Sequence, residues 1–223
     1  GYNFIYGREV IMDIFISILL LVIAYLLGSI PWGFVLGKMK GIDIREHGSK
    51  NIGATNTGRV LGRRYAILAY VLDTIKGALI VALFHLNILS DQYCLLSPML
   101  YGLAAILGHT FPIYLKFRGG KAVATGGGVL LAFSPIIYIA CLAIFFVITY
   151  IFKYVSLGSI IAASSAFIAS ILFVLFSEHY DWYFPAGIFI AFAIIIIRHK
   201  SNIQRLLSHQ ESKVKWRKDK PKS

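Results

Sequence analysis

Three short stretches of this chain gather glycine, hydroxyl, amide and cationic side chains in a pattern that suits an anion. The first runs from Gly41 to Arg59 and carries Ser49, Asn51, Asn56 and Arg59 among its glycines. Glycines let backbone N–H groups turn toward a ligand, and hydroxyls and amides add donors. Arginine adds a fork that matches phosphate. The second stretch reads Gly108-His109-Thr110-Phe111-Pro112 and then Phe117-Arg118-Gly119-Gly120-Lys121 before an apolar run. Two glycines and a lysine opening a helix offer free N–H groups, a positive helix end and a full charge. It is not a Walker loop, because the glycine required five residues before Gly120 is Leu115. The third stretch places His199, Asn202 and Arg205 at three-residue steps, so that on a helix they drift slowly along one side. Each stretch also has a plainer reading. The first fits a flexible basic loop, the second a tight turn whose lysine anchors to lipid phosphate, and the third satisfied polar residues at an interface.

The elements that must carry these stretches are apolar. The chain is 58% hydrophobic and only 14% charged, with a mean hydropathy of +0.74. Apolar runs, with Asp13, Asp73 and Lys76 their only charged residues, cover 12–37, 65–84, 99–115, 122–133, 135–152, 155–176 and 184–197. Runs of this length and number mark membrane helices. The net charge of +12 would suggest nucleic acid in a soluble protein. Here it fits loops beside anionic lipid, and no nucleic-acid partner is expected. Nineteen of the 22 Lys and Arg residues fall in 38–64, 116–121 and the tail from 198, while 85–98 and 177–183 hold none. The positive-inside rule puts the three cationic places in the cytoplasm and the two bare loops outside. Between Lys121 inside and Glu178 outside the chain must then cross an odd number of times. Three crossings fit, with breaks at Ser134-Pro135 and at Lys153. The expectation is an all-α, polytopic bundle of seven helices, N terminus outside and C terminus in the cytoplasm. The run 122–133 is the shortest and also fits part of a re-entrant hairpin, which would leave five spans. Tyr180, Trp182 and Tyr183 are expected in the outer interfacial belt, and Tyr150 and Tyr154 in the inner one.

Residues 1–11 read as an N-terminal extension, 12–207 as the transmembrane domain and 208–223 as a basic cytoplasmic tail. Within the bundle, Asp73 and Lys76 stand three apart on one helix. Intramembrane charges are costly and usually paired, so they read as a structural ion pair. Thr149 and Ser170 read as helix-packing donors. Cys94 and Cys141 form neither a disulfide framework nor a metal site.

Several motifs resemble one family. Gly28-Ser29-Ile30-Pro31, the loop from Asp43 to Asn56, Leu72-Asp73-Thr74-Ile75-Lys76-Gly77, Gly108-His109-Thr110-Phe111-Pro112 and Phe117 to Thr125 are similar to the bacterial acyl-phosphate:glycerol-3-phosphate acyltransferases, the PlsY family. So are Tyr154-Val155-Ser156-Leu157 and the stretch from His199 to Glu211. The likeness runs from about residue 24 to 211 and implies a seven-helix enzyme of the bacterial cytoplasmic membrane, with its active site on the cytoplasmic side. It implies transfer of a fatty acyl group from acyl phosphate to the 1-hydroxyl of glycerol 3-phosphate, without coenzyme A, cofactor or metal. Ser49, His199 and Asn202 would then be catalytic. Arg59, Asn51, Asn56, Gly119, Gly120, Lys121, Ser156 and Arg205 would bind substrate, and Glu211 would be structural. Three positions depart from the family's usual glycine: Lys50, Ala122 and His209. None of the six histidines has an Asp five residues on, the pair many glycerolipid acyltransferases use, and no HExxH or GxSxG is present. The alternative is a membrane carrier for phosphate or an organophosphate. It would share the cationic loops but is expected to place ligands at the midplane between repeated halves.

Overall fold

The computed structural model describes residues 2–176 and 181–214, and within them the regular elements are all helical. The α-helices are α1 (Tyr2–Ser29), α2 (Trp32–Lys38), α3 (Ala54–Leu61), α4 (Arg63–His85), α5 (Pro98–Thr110), α6 (Val123–Phe133), α7 (Pro135–Phe152), α8 (Val155–Phe176), α9 (Tyr183–Arg198) and α10 (Lys200–Leu207). Glu178, Tyr180 and the tail residues Arg217, Lys218 and Lys220 lie outside the described residues.

Each expected apolar run is mainly helical; the run 99–115 leaves the α-helix after Thr110, and the first run shows two further differences. The helix expected over 12–37 stops at Ser29 and restarts as α2. Pro31 lacks an N–H and steers Ile30 away from helical backbone. At its other end α1 begins at Tyr2, so the helix continues through the expected extension. Among the described residues, five helical segments are long and apolar enough to cross a bilayer: Glu9–Ser29, Arg63–His85, Pro98–Leu115, Pro135–Phe152 and Val155–Phe176. α9 reaches that length only together with α10, across a bend of 58°. α6 has 11 residues, about 17 Å of helix against a hydrocarbon core of roughly 30 Å. Ser134 ends α6 and caps α7, its Oγ accepting the Ile137 N–H at 3.4 Å, and Pro135 takes the first helical position. Lys153 separates α7 from α8 with φ of 67°.

Lipid gives apolar helix faces no net drive to associate, so close backbone packing must hold such a bundle. Two helix pairs meet in this way. A Cβ on Gly77 of α4 would fall 2.1 Å from the Thr125 carbonyl oxygen of α6, and one on Gly128 of α6 would fall 1.9 Å from that of Thr74. Gly28 of α1 and Gly108 of α5 meet Ala105 and Tyr25 in the same way, each at 2.2 Å. Met99, Ile106, Val129, Leu130, Ala166 and Ile188 form the main core between α5, α6, α8 and α9. A smaller core of Ile44, Ile52 and Leu115 lies under the first polar loop and seats it on the bundle.

Candidate active site

A cavity of about 680 Å³ collects residues from α3 to α10 together with the polar loops. Its wall divides by chemistry. Ser49, Asn51, Arg59, Lys121, Ser156, His199, Asn202, Arg205 and Glu211 make a polar end. Leu130, Cys141, Leu142, Phe145, Ala163, Ala166, Ile188 and Phe192 make an apolar arm between helices.

The first loop is an ordered platform, which decides against the flexible reading. Asn56, 1% exposed, accepts the Ser49 N–H on Oδ1 at 2.7 Å. Its Nδ2 faces the carbonyls of Ile44, Asn51 and His47 at 2.9, 2.8 and 3.2 Å. Gly48 is required twice over here: its φ is +59°, and a Cβ would lie 2.3 Å from Asn56 Oδ1. Asn51 Oδ1 accepts the Gly53 N–H at 2.9 Å. Asp43 takes two bonds from the Arg45 guanidinium, at 2.9 and 2.7 Å, and that pairing holds its carboxyl well below the usual range. Asn56, expected on the substrate, therefore uses its amide on the loop itself, and Asn51 uses its carbonyl there. Ser49 Oγ and the Arg59 guanidinium take no part in this network and line the cavity. Lys50 adds a cation to the same wall from a left-handed backbone, φ 58°.

In the second loop Lys121 points inward. Its amine donates to Asn202 Oδ1, so it is not a lipid anchor. Burial chiefly, with Arg205, Arg59 and Arg198 nearby and Glu211 opposing, lowers its pKa to about 8. Gly119 and Gly120 differ from expectation, since neither belongs to the cavity wall. The Gly120 N–H donates to the His109 carbonyl at 3.0 Å and is not presented to a ligand. A Cβ on Gly120 would lie 2.1 Å from His109 Nε2, and one on Gly119 2.2 Å from the His109 carbonyl oxygen. These glycines let the loop lie flat on α5. The sequence reading missed what holds them there. Arg198 donates from Nη2 to the Gly119 carbonyl at 2.8 Å and from Nε to that of Gly120 at 3.0 Å. One guanidinium thus ties the Lys121 loop to the end of α9, next to His199. The only sequence signal was Arg198's place beside His199.

The bend between α9 and α10 turns His199, Asn202 and Arg205 into the cavity. Glu211 joins them. Its Oε1 accepts from Asn202 Nδ2 at 2.7 Å and from Ser156 Oγ at 2.9 Å, and its Oε2 accepts from Arg205 Nε at 2.7 Å. Burial opposes its charge, but these bonds hold the carboxyl below its usual range. Ser156, expected on the substrate, gives its hydroxyl to Glu211. The segment expected to leave as a tail instead folds back: the Val214 N–H donates to the Lys153 carbonyl at 2.8 Å. His199 is 3% exposed, with Nδ1 2.8 Å from the Ile195 carbonyl. A carbonyl can only accept, so Nδ1 carries the hydrogen and the neutral ring keeps its lone pair on Nε2.

Asp73 and Lys76 pair at 2.8 Å inside the bundle, and Lys76 also donates to the Ile30 carbonyl at 2.7 Å. His109 Nδ1 lies 3.7 Å from Asp73 Oδ1, too far for a hydrogen bond. Asp73 and His109 also reach the cavity wall. The pair therefore braces α4 against the break between α1 and α2.

The family model described as glycerol-3-phosphate acyltransferase matches residues 18–209. A glycerol-3-phosphate acyltransferase of Bacillus subtilis is 45% identical over 202 residues, covering 89% of this chain and 97% of that one. That of Bacillus velezensis is 43% identical over 199 residues, with 89% and 97% covered. Two crystal structures of PlsY (YgiH), an integral membrane glycerol 3-phosphate acyltransferase, superpose with TM-scores of 0.79 and 0.77 at 39% identity. Both cover 89% of this chain, with 96% and 95% of theirs, and they are the glycerol 3-phosphate and the lysophosphatidic acid forms. With the family matched along most of its length and its all-helical membrane fold shared, this chain belongs to the PlsY family of integral membrane glycerol-3-phosphate acyltransferases.

Proposed function

We propose that this acyltransferase takes its acyl group from a fatty acyl phosphate and places it on the 1-hydroxyl of glycerol 3-phosphate, at the cytoplasmic face of a bacterial cytoplasmic membrane. The observation that carries this reading is a single cavity with Arg59, Lys121 and Arg205 at a polar end and an apolar arm beside it. A donor with a phosphate head on a hydrocarbon tail matches both parts, and a second phosphate enters with the acceptor. Charge-assisted hydrogen bonds from lysine and forked arginine suit such groups.

The acceptor oxygen bonds to the acyl carbonyl carbon, and the bond from that carbon to the phosphate oxygen breaks. Inorganic phosphate departs, and the hydroxyl proton ends on phosphate, whose second ionisation lies near neutrality. Acyl phosphate is already activated, so no enzyme nucleophile takes part. His199, at the same polar end, positions glycerol 3-phosphate so that its hydroxyl faces the acyl carbon. Ser49 donates to the carbonyl oxygen as negative charge gathers there. Arg59, Lys121 and Arg205 hold the phosphates. Asn202 fixes the Lys121 amine, and Glu211 fixes Asn202 and Arg205. Asn51, Asn56 and Ser156 act by building the walls that hold these groups, and Gly119 and Gly120 by letting the Lys121 loop lie on α5.

The test is transfer to radiolabelled glycerol 3-phosphate by the purified chain in lipid nanodiscs. Palmitoyl phosphate should yield 1-acyl lysophosphatidic acid and one phosphate per turnover, and palmitoyl-CoA should yield none. Equal turnover with palmitoyl-CoA alone would sink the donor assignment.

A further inference from the structure

The apolar arm carries one polar feature that the reaction does not use. Tyr70 of α4 and Tyr138 of α7 both line the cavity, and their hydroxyls lie 2.9 Å apart. One phenol donates to the other, which lowers the cost of two hydroxyls in an apolar channel. The contact also bridges two helices across the cavity wall. A methylene chain needs about 4 Å to each neighbouring heavy atom, so it cannot pass between those two oxygens. On α6, Gly126 and Gly127 line the same cavity. A Cβ on Gly127 would come 3.3 Å from the Tyr138 ring. A Cβ on Gly126 would meet only the Cδ1 atoms of Ile106 and Ile195, at 3.9 Å, in ordinary contact. A side chain on Gly126 would therefore take up cavity space without a clash, while the tyrosine pair closes the gap between α4 and α7.

We infer that the Tyr70–Tyr138 bridge, which lines the same cavity as Gly126, is the chain-length determinant of this enzyme: the acyl chain runs along the arm and ends against the bonded phenols. This rests on the acyl-phosphate reading above and adds which chains are accepted. The two walls give opposite predictions. Tyr138→Ala opens the boundary and favours longer chains. Gly126→Ala, at a helical position where alanine is well tolerated, narrows the arm and favours shorter ones. A methylene refused by a tight apolar wall changes specificity by about tenfold or more.

The experiment measures kcat/KM of the purified full chain with saturated acyl phosphates from decanoyl to stearoyl, at saturating glycerol 3-phosphate. The stearoyl-to-lauroyl ratio should rise about tenfold or more in Tyr138→Ala and fall by a similar factor in Gly126→Ala. An active Gly126→Ala with the wild-type chain profile overturns the inference, whether or not Tyr138→Ala folds. A wild-type protein silent toward the whole series, yet active with palmitoyl-CoA, overturns the donor reading and this inference together.

Discussion

Burial lowers the pKa of Lys121, and on its proposed role in holding phosphate, substrate affinity should depend on pH. With its pKa lowered to about 8, the amine is cationic below that pH and loses its proton above it. Its attraction for phosphate is therefore present below about 8 and fades as pH rises through that value. A charge-assisted bond of about 1.5–3 kcal/mol corresponds to roughly ten- to hundredfold in affinity. The apparent KM for glycerol 3-phosphate should climb above pH 8 by up to that factor. Lys121→Ala should show the high value at every pH, and Lys121→Arg, which stays charged, should flatten the climb. A wild-type KM that does not change across pH 8 would remove Lys121 from the phosphate site. At this scale the sequence was partly legible. Ser49, Arg59, Lys121, His199, Asn202 and Arg205 do meet at one cavity, because polar types with few structural uses in an apolar bundle stand out. The sequence did not show that Asn56 and Gly120 bond within their own loops and neighbouring helix. A buried amide that satisfies four backbone groups and a glycine flattened on an imidazole look, in sequence, like ligand-binding residues.

At the scale of elements, α10 ends in a turn that explains one departure from the family pattern. The Gln210 N–H donates to the Arg205 carbonyl at 2.7 Å and the His209 N–H to that of Leu206 at 3.2 Å, the bond pair of a Schellman turn. His209 takes the left-handed position, φ 55°, and Lys50 and Ala122 do the same at 58° and 61°. All three positions where this chain lacks the usual glycine thus need a backbone that glycine adopts without cost. His209 is exposed, so its replacement touches little else. His209→Gly should stabilise the protein by about 1 kcal/mol, read as a higher unfolding midpoint in detergent with unchanged kcat. His209→Val should lower the midpoint. Equal midpoints for all three would show that the turn is not under conformational load. Helices were legible because unbroken apolar runs in a membrane have one backbone solution. The Arg198 clamp was not, since a guanidinium that seeks two carbonyls 78 and 79 residues away leaves no local pattern.

For the whole molecule, the charge asymmetry predicts seven crossings, with Lys50, Lys121 and the segment from Arg198 on the cytoplasmic side. Single cysteines placed at Lys50 and Asp91, after replacement of Cys94 and Cys141, should react with an impermeant reagent from opposite faces of sealed vesicles. Reaction from the same face would sink this topology. Glu211 gives the arrangement a temporal side. Ser156, Asn202 and Arg205 take their positions from a carboxylate that follows every membrane helix in the chain. A ribosome must therefore make the last crossing, and then thirteen residues beyond Arg198, before these groups can be fixed. On the proposed roles, a nascent chain already threaded into the bilayer should stay catalytically inert until that carboxylate emerges. An unfinished or clipped product that stops at Leu207 should occupy the membrane without acylating glycerol 3-phosphate.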